Sequence, residues 1–170
     1  MNKTSAIFSL CVVIMCIPQR IVSMNENLQR AFNECIEQAM KASKQSPKPN
    51  IDLLQATFQI METLDLSKVD VNARDSIQGT ALHSAAVLGS LKHVKLLIQH
   101  GGKLSLSCRE ATYGNTPLHL AAWYGHAEVI HYLLEQGANK DEPNNLFNTP
   151  IALAVAQSHQ KAAQLLRSNN

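Results

Sequence analysis

Thr116-Pro117-Leu118-His119-Leu120-Ala121-Ala122 is the stretch that decides how this 170-residue chain is read. Thr116 can cap a helix with its hydroxyl, and Pro117 at the first helical position gives up only an N–H that has no helical partner there. Ala121 and Ala122 are small enough to let a neighbouring helix approach closely, while Leu118, Val129, Leu133 and Leu134 supply the apolar layer. Gly125 and Gly137 fall where each of two successive helices has to end with a positive backbone angle. The stretch therefore predicts a helix, a turn, a second helix and a loop.

Working outward, the same pattern stands on both sides. Thr80-Ala81-Leu82-His83-Ser84-Ala85-Ala86 precedes it by 36 residues, and Thr149-Pro150-Ile151-Ala152-Leu153-Ala154-Val155 follows it by 33. Each is followed by a second helical pattern, Val94-Lys95-Leu96-Leu97-Ile98, Ile130-His131-Tyr132-Leu133-Leu134 and Ala163-Gln164-Leu165-Leu166. A period of 33 with Thr-Pro-Leu-His opening a helix pair resembles the ankyrin repeat. The resemblance implies an all-α solenoid with repeats over 79–111, 115–147 and 148–168, within a repeat region running from Val69 to the end of the chain. One such helix pair cannot bury its apolar face alone, so stability has to come from stacking.

The departures carry information too. The third segment has Ala152 for the motif His, Ser158 for the Gly and Arg167 where Leu would stand, which reads as a polar C-terminal cap. Val69-Asp70-Val71-Asn72-Ala73-Arg74-Asp75 resembles the family's hairpin, yet Lys68 replaces the usual Gly. The interval from Gly101 to Thr116 is three residues longer than that from Gly137 to Thr149, so an enlarged loop around Leu104 to Tyr113 is expected to protrude.

Upstream, Leu28, Phe32, Cys35, Ile36, Ala39 and Met40 recur at helical spacing between Asn25 and Ser43. Pro47 and Pro49 break that helix, and Asn50 can cap a second one whose apolar face is Leu54, Phe58, Met61 and Leu64. Residues 24–68 are expected to form a helical N-terminal cap. Before them, Lys3, the apolar stretch Ala6 to Pro18 and the small residue Ser23 follow the order of a secretory signal, cleaved after Ser23. The apolar run is short against the about 20 residues that a permanent span needs. Retention as an anchor, or a start at Met24 in the cytoplasm, are the two alternatives.

The mature chain would then hold 13 basic and 13 acidic side chains, leaving no basic footprint for nucleic acid. It would keep Cys35 and Cys108, open to pairing in an oxidising compartment or to remaining free. Of the seven histidines, His83 and His119 occupy the motif position, where the resemblance implies a bond to the backbone of the adjacent loop. His126 and His159 align with each other at the start of the second helix, while His93, His100 and His131 read as solvated. No metal-ligand spacing, phosphate loop or nucleophile elbow is present, so no metal, cofactor or catalysis is expected. A hydrolase using His93 or His131 is the weakest alternative.

The resemblance places partner contacts at the hairpin tips and at the two positions after the Ala-Ala pair. The helix positions are Val87 and Leu88, Trp123 and Tyr124, then Ala156 and Gln157; the tips are Arg74, Ser76 and Ile77, then Glu110, Thr112 and Tyr113, then Pro143, Asn145 and Leu146. Arg74, Ile77, Val87, Leu88, Tyr113, Trp123, Tyr124 and Leu146 form the expected partner-binding set, with Trp123 its aromatic centre. A competing reading covers Val87, Leu88 and Trp123 with the enlarged loop or the N-terminal helices. The expected function is binding of a protein partner by a single chain, the membrane being touched only through the signal; self-assembly through the same face is the alternative.

Overall fold

The computed structural model describes residues 29, 30, 33, 34, 65–75 and 77–168. The expected signal, most of the N-terminal helical cap, Ser76 and Cys35 lie outside the described residues. Within them the chain is all-helical: α1 (Ala81–Leu88), α2 (Leu91–Gln99), α3 (Pro117–Tyr124), α4 (Ala127–Glu135), α5 (Pro150–Ala156) and α6 (Gln160–Ser168), with 3-10 turns at Leu66–Lys68 and Gly102–Ser107. The first helices α1, α3 and α5 pack side by side as an inner layer, and α2, α4 and α6 pack behind them as an outer one.

The sharp helix starts arise as the motif predicts. Thr116 holds extended backbone angles and Pro117 opens α3; Thr149 and Pro150 repeat this at α5, where Thr149 Oγ1 accepts from Ala152 N–H at 3.4 Å. Between the layers, Leu82, Leu97, Leu118, Ile130 and Leu133 are fully buried, and Ala85, Ala86, Ala121 and Ala122 close the spaces where helix backbones meet. This core runs continuously through the array rather than closing within each helix pair, as stacking of incomplete units requires.

Two histidines seal each joint between repeats. Thr80 N–H donates to His83 Nδ1 at 3.1 Å, which makes that nitrogen an acceptor and leaves Nε2–H to donate to the carbonyls of Cys108 and Asn115, both at 3.1 Å. His119 repeats the arrangement, accepting from Thr116 N–H at 3.2 Å and donating to Asn148 O at 3.1 Å. Running the opposite way, His126 Nε2 reaches back to Val87 O at 2.9 Å and His159 Nε2 to Trp123 O at 3.1 Å. The aligned pair His126 and His159 thus has a structural task that the sequence left unassigned.

These rings explain two glycines. Gly89 and Gly125 end α1 and α3 with φ of 72° and 75°. A methyl group on Gly89 would collide with the His126 ring, and one on Gly125 would stand 2.5 Å from His159 Nδ1. Both the left-handed backbone and the ring packed on it demand the missing side chain.

The enlarged loop departs from expectation. Its extra residues wind into the 3-10 turn Gly102–Ser107, which packs on α1, α2 and α3. Ser105 and Leu106 are buried, and Ser105 Oγ donates to Asn72 Oδ1 at 2.7 Å, so only part of the insertion, Leu104 foremost, stands out. A buried hydroxyl needs a partner, and Asn72 supplies one across the joint.

Candidate functional site

The tips are built by three side-chain acceptors. Asp75 accepts from Ile77 and Gly79 N–H, Glu110 from Thr112, Tyr113 and Asn115 N–H, and Asn144 from Leu146 and Asn148 N–H, at 2.7–3.3 Å. Each folds its loop into a tight hairpin, and backbone bonds from Ala111 N–H to Ile77 O (2.7 Å) and Asn145 N–H to Tyr113 O (2.8 Å) link neighbouring tips into a row. Asn144 Nδ2 adds a bond of 2.8 Å to Asn115 Oδ1. At the base of the row, Arg109 donates to Asn145 Oδ1 at 2.9 Å and lies 3.6 Å from Glu142.

Between this row and the inner helices lies a groove of about 550 Å³. Trp123, Tyr124, Leu120 and Leu153 form its helical wall and Tyr113 and Leu146 its tip wall, with Val87 at the first-repeat end. Tyr113 and Trp123 present 52% and 40% of their surface to solvent, and Tyr124 is half-buried, its phenol pKa raised by burial. Tyr124 stacks on the His126 ring at 6.2 Å between centroids, so the aromatic wall stands on the histidine that seals the joint.

Five of the eight expected residues, Val87, Tyr113, Trp123, Tyr124 and Leu146, meet in this groove. Arg74, Ile77 and Leu88 do not line it. Arg74 turns its guanidinium to Gln78 Oε1 (3.4 Å) and Cys108 Sγ (3.2 Å), while Ile77 and Leu88 pack half-buried against the core. Val87, at 5% exposure, is a core residue with an edge in the groove rather than a free surface. Trp123 itself is uncovered.

Glu110 also departs from its expected place as a contact on the tip. It is buried, and although burial by itself raises its pKa, the N–H groups of Tyr113, Thr112 and Asn115 hold the carboxyl below the usual carboxylate range. Leu120, Leu153, Asn115 and Asn148 line the groove without having been singled out in the sequence. Leu120 was detectable, since it precedes Trp123 and Tyr124 by three and four residues and so shares their helix face.

The histidines are structural in placement. Burial pushes His83 down to about 4 and lowers His119 and His126, against the bonds to backbone carbonyls that favour their protonation. His93 meets Ser90 Oγ at 2.7 Å, and His131 lies 3.5 Å from Glu135 on exposed helix surface; neither lines the groove. Among the described residues no three His, Cys, Asp or Glu side chains gather as a metal site would require, and no helix is long and apolar enough to cross a membrane. Cys108 is half-buried with its thiol donating to Leu104 O at 3.6 Å.

Comparison with known proteins agrees with the geometry. Residues 53–144 match the model of ankyrin repeats in three copies. That match begins upstream of Val69, within the expected helical cap, and ends before Thr149-Pro150. The chain is 32% identical over 106 residues to the Notch-regulated ankyrin repeat-containing protein of Xenopus tropicalis, covering 62% of this chain and 79% of that protein. It is 32% identical over 109 residues to the transient receptor potential cation channel subfamily A member 1 homolog of Caenorhabditis elegans, covering 64% of this chain but only 9% of the channel protein. The repeats are of the kind that serves as a protein–protein interaction module, and the chain belongs to the ankyrin repeat family.

Proposed function

We propose that the protein is an exported, non-catalytic binder that takes a partner protein in the groove between its hairpin tips and inner helices. The observation that carries this is the exposed aromatic wall: Trp123 and Tyr113 face a concave space that the other described residues leave open, with Tyr124 half-buried beside them. Large aromatics at the centre of a concave apolar surface are the residues that dominate binding energy at protein interfaces. Export is supported by Lys3, the apolar stretch Ala6 to Pro18 and Ser23 at the N-terminus.

The test is affinity capture with the full chain against the double variant Trp123→Ala, Tyr124→Ala. Proteins enriched by the native chain are expected to fall roughly tenfold or more with the variant, while its melting temperature stays within a few degrees. Equal enrichment by both would overturn the groove as the binding site. The N-terminal residue of the protein recovered from its native cell tests export: Met24 in an exported fraction supports it, and Met24 found only in the cytosol, or Met1 retained in membranes, overturns it.

A further inference from the structure

The three tips each place one residue in the left-handed backbone region: Gln78 at φ 62°, Gly114 at 68° and Phe147 at 59°. Glycine holds that conformation freely; a bulky aromatic there is strained. Among the described residues Phe147 gains no core contact in return, being 89% exposed and outside the core. Leu146 beside it is 60% exposed. A large apolar side chain kept on a backbone that disfavours it, and left exposed by the described residues, has its use in contact with another surface.

The adjoining groove has the matching chemistry. Its one carboxylate, Glu110, is buried with both oxygens engaged by backbone N–H groups, so the groove presents aromatic and aliphatic walls, neutral amides from Asn115 and Asn148, and no charge able to hold a charged ligand. The tip Asn144-Asn145-Leu146-Phe147-Asn148 is likewise without charge. Leu146 belongs to both, lining the groove and forming the tip, so the two lie side by side on one face. A two-fold axis through that face sets each tip against the other copy's groove, a closed and self-complementary pairing.

We infer that the occupant of the groove in the isolated protein is the Leu146-Phe147 tip of a second copy. The pairing is weak and reversible, because a single tip buries far less surface than a stable interface needs. It replaces the expectation of a single working chain, and a partner protein competes with it for the groove. The inference rests on the groove being a binding site.

Sedimentation velocity of the full chain over a concentration series tests it, using native protein, Phe147→Gly, Trp123→Ala and an equal mixture of the two variants. Native protein is expected to shift from monomer toward dimer, and each variant to need at least tenfold higher concentration. The mixture is expected to associate more tightly than either variant alone, because Trp123→Ala supplies an intact tip and Phe147→Gly an intact groove. Phe147→Gly relieves the strained backbone and is expected to melt no lower than native, so its loss of pairing is not unfolding. Native protein that stays monomeric, or a mixture no better than its components, overturns the inference. If native protein is monomeric while Trp123→Ala, Tyr124→Ala still loses its captured partners, the groove remains the binding site and only the self-pairing falls.

Discussion

The middle and third repeats share a plan and part company where a following repeat would sit. In the middle repeat His119 ties the Thr116 cap to the Asn148 carbonyl of the next tip, and Gly125 leaves room for the His159 ring. In the third, Ala152 stands exposed at the histidine position and Ser158 takes the left-handed angle, φ 60°, that glycine holds elsewhere. Thr149 and Pro150 still start the helix as their counterparts do. The motif therefore divides by beneficiary: Thr-Pro serves only the helix that carries it, whereas His and Gly cap that helix and also make room for, or bond to, the neighbour.

Acid is the strongest way to break that division. His83 has a folded pKa near 4 against 6.5 in the unfolded chain, so between those values the unfolded state binds the extra proton and stability falls as the pH drops. The contribution is fully present above 6.5 and gone by about 4, on the order of 3 kcal/mol for His83 alone. His119 and His126, lowered in the same direction, add to the loss. Urea melts at intervals across this window should show the decline; a flat profile would mean that the joints do not depend on neutral imidazoles.

Substituting single positions sharpens the comparison. His119→Ala leaves Thr116 N–H buried without its acceptor and cuts the bond to Asn148, for an expected loss of about 2 kcal/mol. The reciprocal Ala152→His, on a surface that the described residues leave exposed, should change stability by less than about 0.5 kcal/mol. Equal effects from the two would show that the bond to Asn148 adds nothing to the cap His119 makes on its own helix. A smaller contrast separates Gly125→Ala from Ser158→Ala. The first introduces both a left-handed side chain and a clash with His159, and should lose about 1–2 kcal/mol by thermal melting. The second changes a residue that already carries a side chain there and should be near neutral. A Gly125→Ala variant as stable as native would remove the ring-packing account of that glycine.

What could be read from the sequence follows the same division. Helix starts, helix ends and the apolar layer depend on residues a few positions apart, so Thr116, Pro117 and Gly125 gave them directly. The groove residues Trp123 and Tyr124 were reachable through the repeat alignment, as was Tyr113. The burial of Val87 was not, because its position in the repeat matches that of the exposed Trp123. The partners of His126 and His159 lie 39 and 36 residues upstream and are backbone carbonyls, which no side-chain pattern marks. The turn at Gly102–Ser107 has no periodicity long enough to announce itself, and the strain at Phe147 is a property of the backbone rather than of the residue type.

The backward bonds of His126 and His159 also set an order in time. Each locks the final turn of the first helix in the preceding repeat, including the Trp123 carbonyl beside the groove. Among the described residues α5 has no such lock on its own last turn, so that turn is expected to open more readily than the last turns of α1 and α3. Trp123 is thus held from behind by α6, a helix outside the groove lining. A ligand gripping Trp123 therefore slows amide exchange in α6 without touching it, and loosening α6 shortens the residence of whatever the groove holds.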